Sequence, residues 1–205
     1  REEAVTSFLR AMECNVNDAE TQRILRKALT ELGRVDDLPR LHAELKPSTY
    51  FGNHSLAILL QEQGQPAAAV ARLHRAIEID PTKELAHFRL GVVLKEMKRP
   101  DEAADSFRNA IQVAPERADS HFCLGNVLRD LGKLENAVDS FQRAIELAPT
   151  VAMYHFCLGC TLRDLDRTIE AEASFRLAVK LDPTHAWSYF TLGHVLRQQE
   201  RFDEA

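Results

Sequence analysis

The stretch that decides the fold runs from residue 84 to residue 151 and carries one pattern twice: ELAHFRLGVVLKEMKRPDEAADSFRNAIQVAPER over 84–117, then ADSHFCLGNVLRDLGKLENAVDSFQRAIELAPTV over 118–151. Laid over each other, the two share Leu-Gly (Leu90-Gly91, Leu124-Gly125), an alanine (Ala103, Ala137), a phenylalanine (Phe107, Phe141), a second alanine (Ala110, Ala144) and a proline (Pro115, Pro149), each 34 residues on. The register extends in both directions. Gly159 and Gly193 continue the glycine column; Ala69, Ala171 and Ala205, Leu73 and Phe175, Ala76 and Ala178, and Pro81 and Pro183 continue the others. Several columns held in phase mark an internal repeat, whose unit must be read before any motif.

Within one unit, Leu90, Leu94 and Met97 and then Ala103, Phe107, Ala110 and Ile111 recur at i, i+4, i+7. That spacing predicts two amphipathic helices per unit. Asp80-Pro81, Ala114-Pro115, Ala148-Pro149 and Asp182-Pro183 close each unit, because proline lacks a donor and restricts the residue before it. Pro66 and Pro100 fall instead at the first turn of a second helix, where the missing N–H is not needed. Gly91 and its equivalents let one helix lie close to its neighbour, and Ala103 stands where a larger side chain would push the pair apart.

Composition agrees with a packed helical protein. Of 205 residues, 45% are hydrophobic and 28% charged, a balance that separates a globular chain from a disordered one. Only 8 Gly and 8 Pro argue against collagen, low-complexity linkers or a turn-rich β fold. No apolar run approaches the roughly 20 residues that a membrane-spanning helix needs, so no membrane insertion is expected. A net charge of -5 with pI ≈ 5.9 provides no basic field for nucleic acid or anionic lipid. Four cysteines without disulfide-dense spacing read as reduced thiols, and hence as a cytoplasmic protein.

These residues resemble the tetratricopeptide repeat family, whose 34-residue helix–turn–helix unit carries Trp-x2-Leu-Gly-x2-Tyr followed by Ala, Phe, Ala and Pro. Complete units run over 50–83, 84–117, 118–151 and 152–185, with the first helix of another over 186–205. Residues 1–15 resemble the second helix of a partial repeat. Residues 16–49 resemble a degenerate one that opens on a capping box, Asn17 with Glu20, and ends on an irregular turn, Lys46-Pro47-Ser48-Thr49. The tryptophan position holds Asn53, His87, His121, His155 and Tyr189, the tyrosine position holds leucine throughout, and Ala57 replaces the glycine. The resemblance implies an all-α fold, a right-handed α-solenoid of stacked antiparallel helix pairs, forming a single elongated domain over 1–205. Both ends cut through a repeat, which reads as a segment of a longer protein.

In the family the first helices line a concave groove, and repeat positions 2, 5, 9, 12 and 13 point into it. Carried onto this chain, position 5 holds His54, Phe88, Phe122, Phe156 and Phe190, and position 2 adds Leu85, Met153 and Trp187. Position 12 holds Gln61, Lys95, Arg129, Arg163 and Arg197, and Asn126 stands at position 9. The groove so defined would take a protein or peptide ligand with apolar side chains on the phenylalanines and carboxylates on the basic row. A second reading stands beside it: the phenylalanines pack between adjacent first helices as core, and the Arg-Asp neighbours form a solvated charge ladder.

The family's carboxylate clamp needs Lys-Asn, Asn and Lys-Arg at positions 5 and 9 of successive repeats, and only Asn126 matches. The asparagine ladder of the O-linked N-acetylglucosamine transferase arm is missing at position 6, which holds Ser55, Arg89, Cys123, Cys157 and Thr191. His87, His121 and His155 form a row, but stacked repeats hold such residues about 10 Å apart, too far to share a metal, so they are read as structural. Cys157 and Cys160 make a single Cys-x-x-Cys with no second ligand pair, and are read as small buried thiols. Asn53-His54-Ser55 fits a glycosylation sequon but falls inside a helix. No nucleotide, zinc-protease or serine-hydrolase motif occurs, so no catalytic residues, metal or cofactor are expected. The reading is a protein-binding scaffold and not an enzyme. Its alternatives are the substrate-recruiting arm of a longer enzyme, such as a glycosyl- or sulfotransferase, and a scaffold that self-associates through its uncapped ends.

Overall fold

The computed structural model describes residues 49–199. The expectations for 1–48 and 200–205, among them the partial repeat, nearly all of the degenerate repeat and its capping box, lie outside the described residues. The chain divides into two compact units, the first ending at Met97 and the second beginning at Lys98.

The first unit holds α1 (Tyr50–Glu62), α2 (Pro66–Ile79) and α3 (Glu84–Glu96). Thr49 starts α1 as its N-cap: its Oγ1 accepts the Gly52 N–H at 3.0 Å, while its carbonyl accepts Asn53 Nδ2–H at 3.0 Å. α2 packs on both α1 and α3. The second unit holds α4 (Pro100–Val113), α5 (Ala118–Asp130), α6 (Leu134–Leu147), α7 (Ala152–Asp164), α8 (Thr168–Leu181) and α9 (Ala186–Gln198). Each of its helices packs on the next, and α5 also touches α7. All elements among the described residues are helices, and none of them is long and apolar enough to cross a membrane.

The repeat columns form the core. Ala69, Ala103, Ala137 and Ala171, then Leu73, Phe107, Phe141 and Phe175, then Ala76, Ala110, Ala144 and Ala178 are all fully buried. Burying a side chain of the Leu or Phe class is worth roughly 1.5–3 kcal/mol, so the Phe column dominates the packing. Pro66 and Pro100 open α2 and α4 as the sequence reading placed them.

The link from first to second helix recurs at repeat position 15, where the backbone enters the left-handed region at Gly64 (φ 71°), Lys98 (57°), Gly132 (71°) and Asp166 (59°). The N–H groups of Gln65, Lys133 and Arg167 then reach back to the carbonyls of Leu60, Leu128 and Leu162, the 6→1 bond of a Schellman helix end. The link between repeats recurs too. In Asp80-Pro81-Thr82 and Asp182-Pro183-Thr184 the aspartate Oδ1 accepts both the N–H and the hydroxyl of the threonine, which lowers each carboxyl's pKa.

Candidate binding face

Each first helix of the second unit presents three residues at i, i+4 and i+7: Phe122, Asn126 and Arg129 on α5, Phe156, Cys160 and Arg163 on α7, and Phe190, His194 and Arg197 on α9. That spacing puts them on one side of a helix. On α9, Tyr189, Phe190, Gly193, His194 and Arg197 line a single depression, so repeat positions 5, 9 and 12 do share a face there.

The phenylalanines are neither bare nor buried, except at the last repeat. Phe88, Phe122 and Phe156 are half-buried, whereas Phe190 and Trp187 are each 65% exposed and meet edge to face at 5.6 Å. Phe122 stacks on Tyr154 of the following repeat with ring centroids 4.7 Å apart and also meets Phe141 at 5.8 Å. Phe156 meets Phe175 at 5.9 Å and the edge of His185 at 5.0 Å. Phe122 and Phe156 therefore each have part of the ring in the packing and the rest at the surface.

Tyr154 is the residue that sequence reasoning passed over. Its repeat position otherwise holds Gly52, Ala86, Ser120 and Ser188, and that break in a column of small residues was the available signal. Besides stacking on Phe122, its hydroxyl donates to Asp119 at 2.8 Å; burial and that carboxylate push the phenol up to about 12.

The basic row differs in its pairing from the arginines at the starts of the second helices and on α6. Arg99 is held by Glu102 at 2.6 Å, Arg143 by Glu146 at 2.8 Å and Glu116 at 3.2 Å, and Arg167 by Glu170 at 2.8 Å and Glu135 at 3.2 Å. Lys95, Arg129 and Arg197 make no ion pair among the described residues, and Arg163 meets only its sequence neighbour Asp164, at 3.1 Å. Both Arg129 and Arg163 act on the Cys160 thiol: burial pushes it up, and the two guanidiniums pull it partway back. Asn126 turns its amide to its own helix, donating to the Phe122 carbonyl at 3.1 Å. On α3, in the first unit, Phe88 and Lys95 hold the same register positions.

The histidine row is tied to the inter-repeat turns. Nε2 of His87, His121 and His155 lies 3.0, 2.8 and 2.9 Å from the carbonyls of Pro81, Pro115 and Pro149. A carbonyl only accepts, so each Nε2 carries the proton and donates. No cluster of metal-ligating side chains occurs among the described residues. Cys157 and Cys160 are buried and Cys123 is half-buried, and none of the three is in a disulfide among the described residues.

Stacked helix pairs that display a recurring side-chain face define a repeat scaffold. Sequence models of the tetratricopeptide repeat match residues 54–104, 88–152 and 154–185. The chain belongs to the tetratricopeptide repeat family. No curated protein sequence matches it. Among solved structures it resembles YrrB, described as a tetratricopeptide repeat protein with an unusual peptide-binding site, at 25% identity over 87% of this chain and 84% of that one, with a TM-score of 0.68. It also resembles PilF of Pseudomonas aeruginosa at 22% identity over 100% of this chain and 88% of that one, TM-score 0.75. MamA of Desulfovibrio magneticus RS-1 is similar at 16% identity over 74% and 85%, TM-score 0.70. The latter two similarities concern the fold.

Proposed function

We propose that this chain is a protein-binding scaffold whose first-helix face takes a peptide or partner segment carrying acidic and apolar side chains. The observation that carries the reading is the placement of unpaired cations with the aromatic column: Phe190, His194 and Arg197 line one depression, Phe122 and Arg129 hold the same register on α5, and neither Arg129 nor Arg197 has a carboxylate partner among the described residues. A guanidinium left unpaired beside a half-buried aromatic ring suits a ligand carboxylate next to an apolar side chain. Rigid repeats hold the face ready, so the scaffold loses little ordering entropy on binding. The peptide-binding site named for YrrB is in keeping with this use of the fold.

The experiment is fluorescence anisotropy with two labelled peptides of alternating Leu and Glu or alternating Leu and Lys. The Glu peptide is expected to bind at least about tenfold tighter, with an affinity that falls as salt rises. The Arg129→Glu, Arg163→Glu variant should lose that preference while keeping its helical circular dichroism. Equal binding of the two peptides, or a double variant that binds like wild type, would overturn the reading.

A further inference from the structure

On the side formed by the second helices, away from the proposed ligand face, a cleft of about 350 Å³ opens between α6 and α8 with α7 beneath it. Ile145 and Leu177 form its walls, Leu158 and His155 its floor, and Ala173 and Glu146 lie along it. Every one of these residues belongs to a described helix of the second unit. Leu177 is 46% exposed, a large apolar side chain with nothing over it.

The preceding repeat explains why the cleft is open. At the positions of Leu177 and Ala173 it carries Arg143 and Asp139. Arg143 reaches to Glu116 and Glu146 and spans that stretch of surface with a charged bridge. Replacing that guanidinium by Leu177 and that carboxylate by Ala173 removes the cover and leaves an apolar slot between α6 and α8. An exposed apolar slot where the preceding repeat is charged points to a partner rather than to the demands of stacking.

Charge selects the partner. Along α6, Glu135, Asp139, Gln142 and Glu146 form one exposed ridge beside the slot. Arg143 and Arg167 are shared among Glu116, Glu135, Glu146 and Glu170, and Asp139 has no ion pair among the described residues. On α8, Lys180 continues the stripe of Ala173 and Leu177 and offsets part of this charge, while the α6 side of the rim keeps an excess of carboxylates, the opposite of the basic row on the first helices. We propose that the α6–α8 cleft is a second docking site, for an amphipathic helix that inserts apolar side chains into the slot and lays lysines or arginines against the α6 ridge.

The test uses two stapled helical peptides with leucines on one face, flanked by Lys in one and by Glu in the other, titrated into ¹³C-methyl-labelled protein. The Lys peptide is expected to shift the methyl resonances of Ile145, Leu158 and Leu177 saturably and, as read from those resonances, to bind the cleft about tenfold tighter than its Glu twin, whose stronger site is the first-helix face. Leu177→Arg and Ala173→Asp install residues that the previous repeat already carries at those positions, so both should fold, and each should weaken the Lys peptide about tenfold or more. The Arg129→Glu, Arg163→Glu variant should bind it unchanged. The proposal is overturned by an absence of saturable shifts, by equal binding of the two peptides, or by unchanged binding in Leu177→Arg. The same methyl shifts appearing without peptide as protein concentration rises would make a second copy the occupant and also overturn it.

Discussion

The Cβ that Gly125 lacks would lie 2.7 Å from Cε1 and 2.8 Å from Cδ1 of Phe141, inside a ring that is itself fully buried. Gly159 and Phe175 repeat the relationship at 2.7 Å. The first complete repeat solves the same packing the other way, with Ala57 and Leu73 at the corresponding positions, both fully buried. The glycine and the aromatic ring are thus one choice, and alanine with leucine is the other. Gly125→Ala is expected to destabilise the second unit by about 1–3 kcal/mol through overpacking. Adding Phe141→Leu should recover part of that loss, so the double variant is more stable than the sum of the single changes implies. Urea unfolding of the four proteins measures the coupling; strictly additive effects would remove the steric account.

His54 sits in the phenylalanine column of the first unit, buried and stacked on Tyr50 at 5.8 Å. Burial, with a smaller contribution from the Arg89 charge, holds its pKa down to about 4 from 6.5. Between those values the unfolded chain binds a proton that the folded chain refuses. Stability is therefore full above about pH 6.5 and is lost as pH falls toward 4, by about 3 kcal/mol from this group. His54→Phe supplies the residue found at Phe88, Phe122, Phe156 and Phe190. It should flatten the acid limb of stability against pH relative to wild type, as read by urea midpoints on either side of that window. Parallel profiles for the two proteins would show that His54 does not control it.

Two of the four helix-to-helix links place a side chain where glycine is easier. Lys98 and Asp166 have φ of 57° and 59°, at the position that Gly64 and Gly132 occupy at 71°. A left-handed conformation strains an ordinary L-residue by about 1–2 kcal/mol, and glycine's extra freedom in the unfolded chain offsets part of the relief. Lys98→Gly is expected to gain about 0.5–1 kcal/mol. Asp166→Gly should gain less, because aspartate tolerates this region better than lysine. Thermal melts would rank them, and a loss of stability in Lys98→Gly would contradict the strain argument.

The repeat columns made the fold legible because they are the residues whose burial is obligatory: Ala103, Phe107 and Ala110 have nowhere else to go in a stack of helix pairs. The helix starts at Pro66 and Pro100 and the turns at Pro81 and Pro183 followed from backbone chemistry alone. The face was harder to read, since the exposure of Phe122 depends on Tyr154 and that of Phe156 on His185, each a contact across a turn that periodicity does not encode. The pairing of surface arginines was likewise out of reach. Arg143 and Arg129 look alike in sequence, yet Arg143 has two carboxylates within reach and Arg129 none among the described residues. The α6–α8 cleft was visible in principle as Leu177 and Ala173 against Arg143 and Asp139, but a search for shared columns passes over the positions where one repeat departs.

The His155 ring donates from Nε2 to the Pro149 carbonyl at 2.9 Å, and His87 and His121 do the same to Pro81 and Pro115. Proline supplies no N–H, so the turn is secured through its carbonyl, and the histidine at the start of the next helix ties one repeat to the next. Removing the donor in His155→Ala costs that bond together with part of the buried ring surface, and is expected to lower stability by about 1–3 kcal/mol. His155→Gln separates the two contributions by restoring a donor without the ring, and should recover part of the loss. The tautomer gives an independent check, because ¹⁵N spectra of the imidazoles at neutral pH should show the Nε2-protonated form at all three positions. Nδ1-protonated rings there, or a His155→Ala variant as stable as wild type, would mean that the histidine row does not secure the turns and that its recurrence serves some other contact.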